Sequence, residues 1–250
     1  MNYPSGHKRK IAIVSSTRAD WGLLSPLAKA LSQRNDCIVT IIATNMHISQ
    51  RFGMTVNNII GDGFNPIKVA IECEDDSAAG RIKAMSQCMT GMSEVFEKLS
   101  PNLVVILGDR YEMLAVASSA VMMRIPIVHI AGGTISEGAI DDSIRHAITK
   151  LSALHLTETE EYRRRVIAMG EHPSRVINTG AIGVWNINNL KPMTREELSR
   201  ELNFDLNRPY VIATFHPATL DNTDPGISCR NMLEALDRHP NLNIILTYPN

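Results

Sequence analysis

The chain has 250 residues, 44% of them hydrophobic and 20% charged, a composition that supports a sizeable buried core and excludes a disordered or fibrous protein. A formal net charge of -1 gives no general attraction to polyanions. Duplex nucleic-acid binding and a membrane-surface role therefore lack electrostatic support, and any phosphate site must be local.

In chain order, Lys8, Arg9 and Lys10 precede an apolar run of only Ile11 to Val14, too short for a signal-peptide core. Short β-rich runs then alternate with helical patterns. Strands are expected at Ile11–Ser15, Ile38–Thr44, Pro66–Ile71, Leu103–Leu107, Ile127–Ile130, Ala153–Leu156 and Arg175–Asn178. Helices are expected at Trp21–Gln33, Ser77–Leu99, Glu112–Met123, Ser143–Leu151 and Thr159–Met169. This alternation predicts an α/β fold with a parallel, doubly wound, Rossmann-like sheet, closing as a first domain over 1–180. Ala181 to Pro192 reads as a connecting segment, after which Thr194 and Glu197 form a capping-box pattern ahead of a short helix. A strand at Tyr210–Phe215, a helix at Ile227–Arg238 and a strand at Leu242–Tyr248 then begin a second unit within 181–250. Two strands are too few for a stable parallel sheet, so this second domain is expected to be incomplete, lacking roughly a further hundred residues.

No apolar run approaches the roughly 18 to 20 residues of a membrane span, so no membrane role is expected. The four cysteines, Cys37, Cys73, Cys88 and Cys229, lie far apart without a CxxC pair. That pattern suits reduced thiols in a cytoplasmic protein better than disulfides or a zinc site, and no metal or cofactor is expected.

In an open parallel sheet the loops after the strands' carboxyl ends share one crevice, and polar residues recur there. The loop after the first strand, Ser15 to Asp20, lacks the GxGxxG fingerprint of dinucleotide enzymes. Arg18, at a helix start, would hold a phosphate together with the free backbone amides there; alternatively Asp20 caps the helix and Arg18 pairs on the surface. Asp109 follows an apolar strand and a glycine, a costly place for a carboxylate unless it is functional or caps the next helix with Glu112 completing the pattern. Arg110 and Glu112 also read as an ion pair. A glycine-rich loop from Gly132 to Gly138 carries Glu137 toward a helix beginning near Asp141 and Asp142, one of which is expected to cap it. Asp141 with Arg145 and Asp142 with His146 stand four residues apart, so one turn presents acid, base and cation, as a site or as surface ion pairs. His47 and His216 each follow a strand, and either ring serves the crevice or the core. Glu160 to Arg165 reads as a solvated helix face.

The order Thr17-Arg18-Ala19-Asp20, His47 with Phe52-Gly53 and Thr55, Gly108-Asp109-Arg110, His129 with Gly132-Gly133, the segment DDSIRHAITK from Asp141 to Lys150, His216-Pro217 and Tyr248-Pro249-Asn250 resembles the hydrolysing UDP-N-acetylglucosamine 2-epimerases of the sialic and legionaminic acid branch. The resemblance spans essentially the whole chain, and DDSIRHAITK carries most of it. It implies two Rossmann-like domains of the glycosyltransferase B type, with nucleotide bound mostly by the second. It also implies a UDP-amino sugar substrate: UDP-N-acetylglucosamine converted to N-acetylmannosamine and UDP, or in a close branch a UDP-diacetamido-trideoxy sugar.

The implied reaction removes the C2 proton as UDP leaves C1, giving a glycal-like intermediate to which water and a proton then add. By motif position, Asp109 and Asp141 resemble the catalytic carboxylates, His216 a residue assisting UDP departure, and Arg18 a phosphate ligand. His47, Arg110, Arg145, His146 and Asn250 stand at substrate-binding positions. One departure stands out: where many relatives carry a carboxylate in a His-x-Glu-Gly-Gly segment, this chain has Ala131, and Glu137 is the nearest substitute along the loop. A glycosyltransferase of the same fold and a non-enzymatic sugar-binding fragment remain as alternatives. Apolar helix residues from Leu114 to Met123 leave room for a homodimer interface.

Overall fold

A computed structural model describes residues 8–72, 75, 77–217 and 223–247. The strands β1 (Arg9–Ser15), β2 (Cys37–Thr44), β3 (Ile67–Val69), β4 (Leu103–Leu107), β5 (Ile127–Ile130), β6 (Leu154–Thr157) and β7 (Val176–Asn178) form one sheet in the order β3-β2-β1-β4-β5-β6-β7, with every pairing parallel. Parallel neighbours need crossover connections. These are α1 (Arg18–Ser32), α2 (Val56–Gly61), α3 (Ala78–Leu99), α4 (Tyr111–Met122), α5 (Ile140–Leu151) and α6 (Glu160–Ala168), followed after β7 by α7 (Ile182–Asn189).

Alternation along the strands feeds two cores, one on each face. Ala12, Val14, Ile42, Val104, Ile106 and Ile127 pack toward α3, α4 and α5, whose Met92, Phe96, Val116 and Ile148 are buried among them. Ile13, Ile41, Val105, Leu107 and Val128 face the other way, toward Trp21 and Leu24 of α1 and Val56 and Ile59 of α2. Burial on both faces explains why the strands are nearly continuous apolar runs. Gly91 lets α3 approach the sheet: a Cβ there would lie 2.5 Å from Val69 Cγ1.

The strand order reverses between β1 and β4, which makes the carboxyl ends of these two strands the switch point where crevices form in such sheets. The loop residues that close β1, β2, β4 and β5 meet there.

The predicted connecting segment is instead largely helical. Ile182–Asn189 folds as α7 against α1, for a reason written far upstream. Pro26 lies inside α1 and has no N–H for the carbonyl of Gly22. Asn186 of α7 supplies the missing donor, its Nδ2 lying 2.9 Å from Gly22 O. Helix α2 also lies where no helix was expected.

The described residues divide into two compact units, one running to Ser136 and resuming at Asp141–Asn188, the other joining Glu137–Ile140 to the residues from Asn189 onward. In the second unit, Thr194 and Glu197 form a complete capping box at the start of α8 (Arg195–Leu202). Strands β8 (Tyr210–Thr214) and β9 (Asn243–Thr247) pair in parallel. They are joined through α9 (Pro225–Asp237), which Asp224 caps ahead of a proline in the first turn. No helix among the described residues is long and apolar enough to cross a membrane.

Candidate active site

Asp109 and Arg145 form the centre of the site. Gly108 adopts φ +73, which turns the chain sharply out of β4, and Asp109 follows at once. Asp109 does not cap the next helix: Arg110 occupies the cap position of α4 and makes no side-chain cap bond. The Asp109 carboxylate is instead bound by Arg145 Nη2. Arg145 is 5% exposed and has its fork fully used. Nη1 donates to Thr134 O at 2.8 Å and to Asp142 Oδ1 at 3.3 Å, and Nη2 also reaches Ser136 Oγ at 2.9 Å. The expected pairing of Asp141 with Arg145 is thus replaced by Asp142, three residues away, and by Asp109.

Asp142 Oδ1 also accepts from the Ser136 amide at 2.9 Å, and Asp142 Oδ2 lies 3.6 Å from His146 Nε2. Asp141 is half-buried in the first turn of α5. Its charge raises the pKa of Asp109. Burial is the largest influence on Asp109 and lifts its carboxyl above the ordinary carboxylate value despite the Arg145 cation. A buried carboxyl with a raised pKa, a quarter exposed at a strand end, is suited to give and take protons.

The Gly108–Asp109 turn is braced from β5. His129 is fully buried, its Nε2 2.8 Å from Gly108 O and its Nδ1 3.1 Å from Thr149 Oγ1. Burial pushes its pKa down to about 4, so the ring is neutral, donating to the carbonyl through Nε2–H with Nδ1 beside the threonine hydroxyl.

The first loop is organised by Asp20. Its Oδ2 accepts from the amides of Ser16 and Thr17, each at 3.0 Å, and from Ser16 Oγ at 2.7 Å. Thr17 Oγ1 returns a capping contact to the Asp20 amide. The amides of Ser16 and Thr17, just ahead of the helix, are thus taken by Asp20. Arg18 itself is exposed at the start of α1 and has no ion-pair partner among the described residues. His47 is fully buried, with Ser15 Oγ 2.8 Å from Nε2 and Thr55 Oγ1 2.9 Å from Nδ1. The ring thus ties the β1 and β2 loops together, and burial lowers its pKa. Arg110 donates from Nε to Glu112 Oε1 at 2.6 Å, which bears out the ion pair read from the sequence.

Ala131 holds the left-handed φ of +65 just beyond β5 and donates its amide to Leu156 O. Glu137 is exposed and groups with the second unit, as does the exposed His216 after β8. Asn250 lies outside the described residues. The structure thus brings together Asp109, Asp142, Arg145 and His146, and places Arg18, His47 and Arg110 on the neighbouring strand ends of the same unit. Sequence reasoning gave no role to Ser136, the Thr134 carbonyl, or Asn45, whose Nδ2 reaches Glu112 Oε1 at 2.8 Å. An asparagine directly after a strand was a usable signal for the last of these; Ser136 and Thr134 offered none.

A GDP/UDP-N,N'-diacetylbacillosamine 2-epimerase (hydrolyzing) of Campylobacter jejuni is 40% identical over 243 residues, which cover 97% of this chain and 63% of that protein. A UDP-N,N'-diacetylbacillosamine 2-epimerase (hydrolyzing) of Legionella pneumophila is 36% identical over 97% of this chain and 64% of its own length. The chain therefore spans less than two thirds of these relatives. The fold matches the crystal structure of UDP-GlcNAc 2-epimerase from Neisseria meningitidis with a TM-score of 0.78 at 17% identity, over 96% of this chain and 66% of that one. Residues 29–250, which include Asp109, Arg145 and the whole DDSIRHAITK segment, match the family described as UDP-N-acetylglucosamine 2-epimerase, and the chain belongs to that family.

Proposed function

We propose that this chain is the larger part of a hydrolysing 2-epimerase whose substrate is a UDP-diacetamido-trideoxy sugar of the diacetylbacillosamine kind. The observation that carries the reading is Asp109, a carboxyl lifted by burial and bound to Arg145 at the switch point, within a chain of this family. The choice of sugar is supported by the names of the 40% and 36% identical relatives. The second reading, UDP-N-acetylglucosamine converted to N-acetylmannosamine and UDP, is favoured by the family's own description.

In the proposed reaction one carboxylate removes the C2 proton while the bond from C1 to the UDP oxygen breaks and UDP departs with the bonding pair. Water then adds its oxygen to C1 of the glycal-like intermediate, and C2 is protonated on the opposite face. Asp109 and Asp141 are the proposed acid-base pair, His216 assists the departing UDP, and Arg18 takes a phosphate. Arg145 keeps Asp109 in place, with His146 and Asp142 on the same turn. Glu137 is proposed to replace the carboxylate that Ala131 lacks. No redox step is involved, so no cofactor is called for. A cytoplasmic location and a homodimer through the α4 surface are part of the same proposal.

Proton NMR of each UDP-sugar in deuterated water tests the proposal, using the complete protein with the 250-residue chain beside it. Release of UDP with the 2-epimeric sugar deuterated at C2 is the expected result, and the preferred donor identifies the branch. A product that appears only with an acceptor sugar would identify a glycosyltransferase, and no turnover of either donor by the complete protein would sink the reading. Glu137→Ala with unchanged turnover would remove that residue from the mechanism.

A further inference from the structure

Glu112 is a buried carboxylate that the proposed chemistry leaves without a task. It lies in the first turn of α4 and is 0% exposed, as fully buried as the apolar Ala115 and Val116 of the same helix. Its Oε1 accepts from Arg110 Nε at 2.6 Å and Asn45 Nδ2 at 2.8 Å, while Oε2 has no hydrogen-bond partner among the described residues. As a contribution to stability this is poor value: a buried ion pair is often matched by apolar side chains, and an unmet buried oxygen adds a desolvation cost. Asn45 holds a left-handed φ of +50, a conformation that asparagine tolerates better than most residues other than glycine.

What the network achieves is direction. Nε of Arg110 is tethered from below, and the side chain remains 25% exposed at the switch point. Among the described residues its Nη atoms make no hydrogen bond to an oxygen, and Nη2 donates weakly to Met46 Sδ at 4.0 Å. A guanidinium held by Nε, its tip engaged only by a weak thioether contact among the described residues, is arranged for fork-like recognition of an anion. Burial opposes the charge on Arg110, but Glu112 and Asp20 hold its pKa above the ordinary value, so the cation persists.

We propose that Glu112 is a positioning residue which, with Asn45, aims the Arg110 guanidinium at a phosphate group of the ligand in the crevice. The inference rests on the nucleotide-sugar reading for the identity of that phosphate, though not for its anionic chemistry.

Titration calorimetry with inorganic pyrophosphate and, separately, UDP tests it on the chain and on Arg110→Ala, Glu112→Ala, the double variant and Glu112→Gln. Arg110→Ala and Glu112→Ala are expected to weaken pyrophosphate binding alike, by about ten- to a hundredfold. The double variant should be no weaker than Arg110→Ala alone, because both changes break one unit. Glu112→Gln keeps an acceptor opposite Nε and should restore most of the affinity, which a merely structural role does not require. Should Glu112→Ala not fold, Glu112→Asp, whose acceptor is withdrawn by one methylene, carries the same expectation. The inference is overturned by absent pyrophosphate binding, by an Arg110→Ala variant that binds normally, by wild-type affinity in Glu112→Ala, or by additive losses in the double variant. Pyrophosphate binding with the full variant pattern but no UDP binding would uphold it and remove the nucleotide reading.

Discussion

Acid should loosen this protein through His129, and the size of the effect follows from the structure. The ring is neutral when folded, with a pKa of about 4 against a reference value of 6.5. Between those values the unfolded chain binds a proton that the folded chain refuses. The stabilising contribution is thus fully present above about pH 6.5 and is lost as the pH falls toward 4. The whole displacement corresponds to roughly 3 kcal/mol, and the part lost between pH 7 and pH 5 to roughly 2 kcal/mol. His47 and His155 are also depressed by burial and add losses of the same sign, so wild type alone does not isolate the residue. His129→Gln does, because its amide can still donate to Gly108 O while it cannot take up a proton. Urea denaturation near pH 7 and near pH 5 should show the variant losing roughly 2 kcal/mol less than wild type over that interval. Equal losses in the two proteins would refute the buried neutral imidazole, and with it the brace that holds the Asp109 turn.

Asp109→Asn should abolish turnover while leaving the melting temperature equal or higher. A carboxyl whose folded pKa is raised destabilises the fold increasingly as the pH climbs from the unfolded value to the raised one, and asparagine escapes that cost. A clear drop in melting temperature at neutral pH would contradict it. Arg145→Lys keeps the charge but cannot reach Thr134 O, Ser136, Asp142 and Asp109 together, so kcat should fall by at least about tenfold while circular dichroism stays native. Gly133→Ala would place a Cβ 2.6 Å from Tyr162 O at a φ of +88, and should lower stability by roughly 2 kcal/mol or more in thermal unfolding. Cys88 is fully buried with its thiol pushed up to about 12, chiefly by burial. It should resist a thiol-specific reagent in the native state at neutral pH and react only on unfolding.

Much of the first unit was legible locally. Leu103–Leu107 and Ile127–Ile130 run as strands over the residues read from their apolar content, because a strand buried on both faces has little freedom to be anything but apolar. The Thr194–Glu197 capping box was equally visible, since a cap is a contract between residues three apart. Helix α7 was not: its formation on α1 depends on Asn186 meeting the carbonyl that Pro26 leaves without a donor, 164 positions away in the chain.

The site divides in the same way. Sequence alone placed polar side chains after β1, β2, β4 and β5, and an acid-rich turn at the head of α5, because parallel topology sends those loops to one edge. It left Asp109 open between helix cap and functional acid, for the local pattern with Glu112 is the same in both cases. Tertiary structure removed the helix-cap reading by placing Arg110 at the cap and supplying Asp109 with Arg145 from a helix 36 positions later. It likewise gave Asp20, rather than a ligand, the Ser16 and Thr17 amides, and turned Glu112 inward beneath Arg110. Short-range hydrogen bonds and apolar periodicity are written in neighbouring residues. Desolvation, which sets a carboxyl's pKa and decides which cation faces it, depends on everything packed around the group and exists only once the chain has folded.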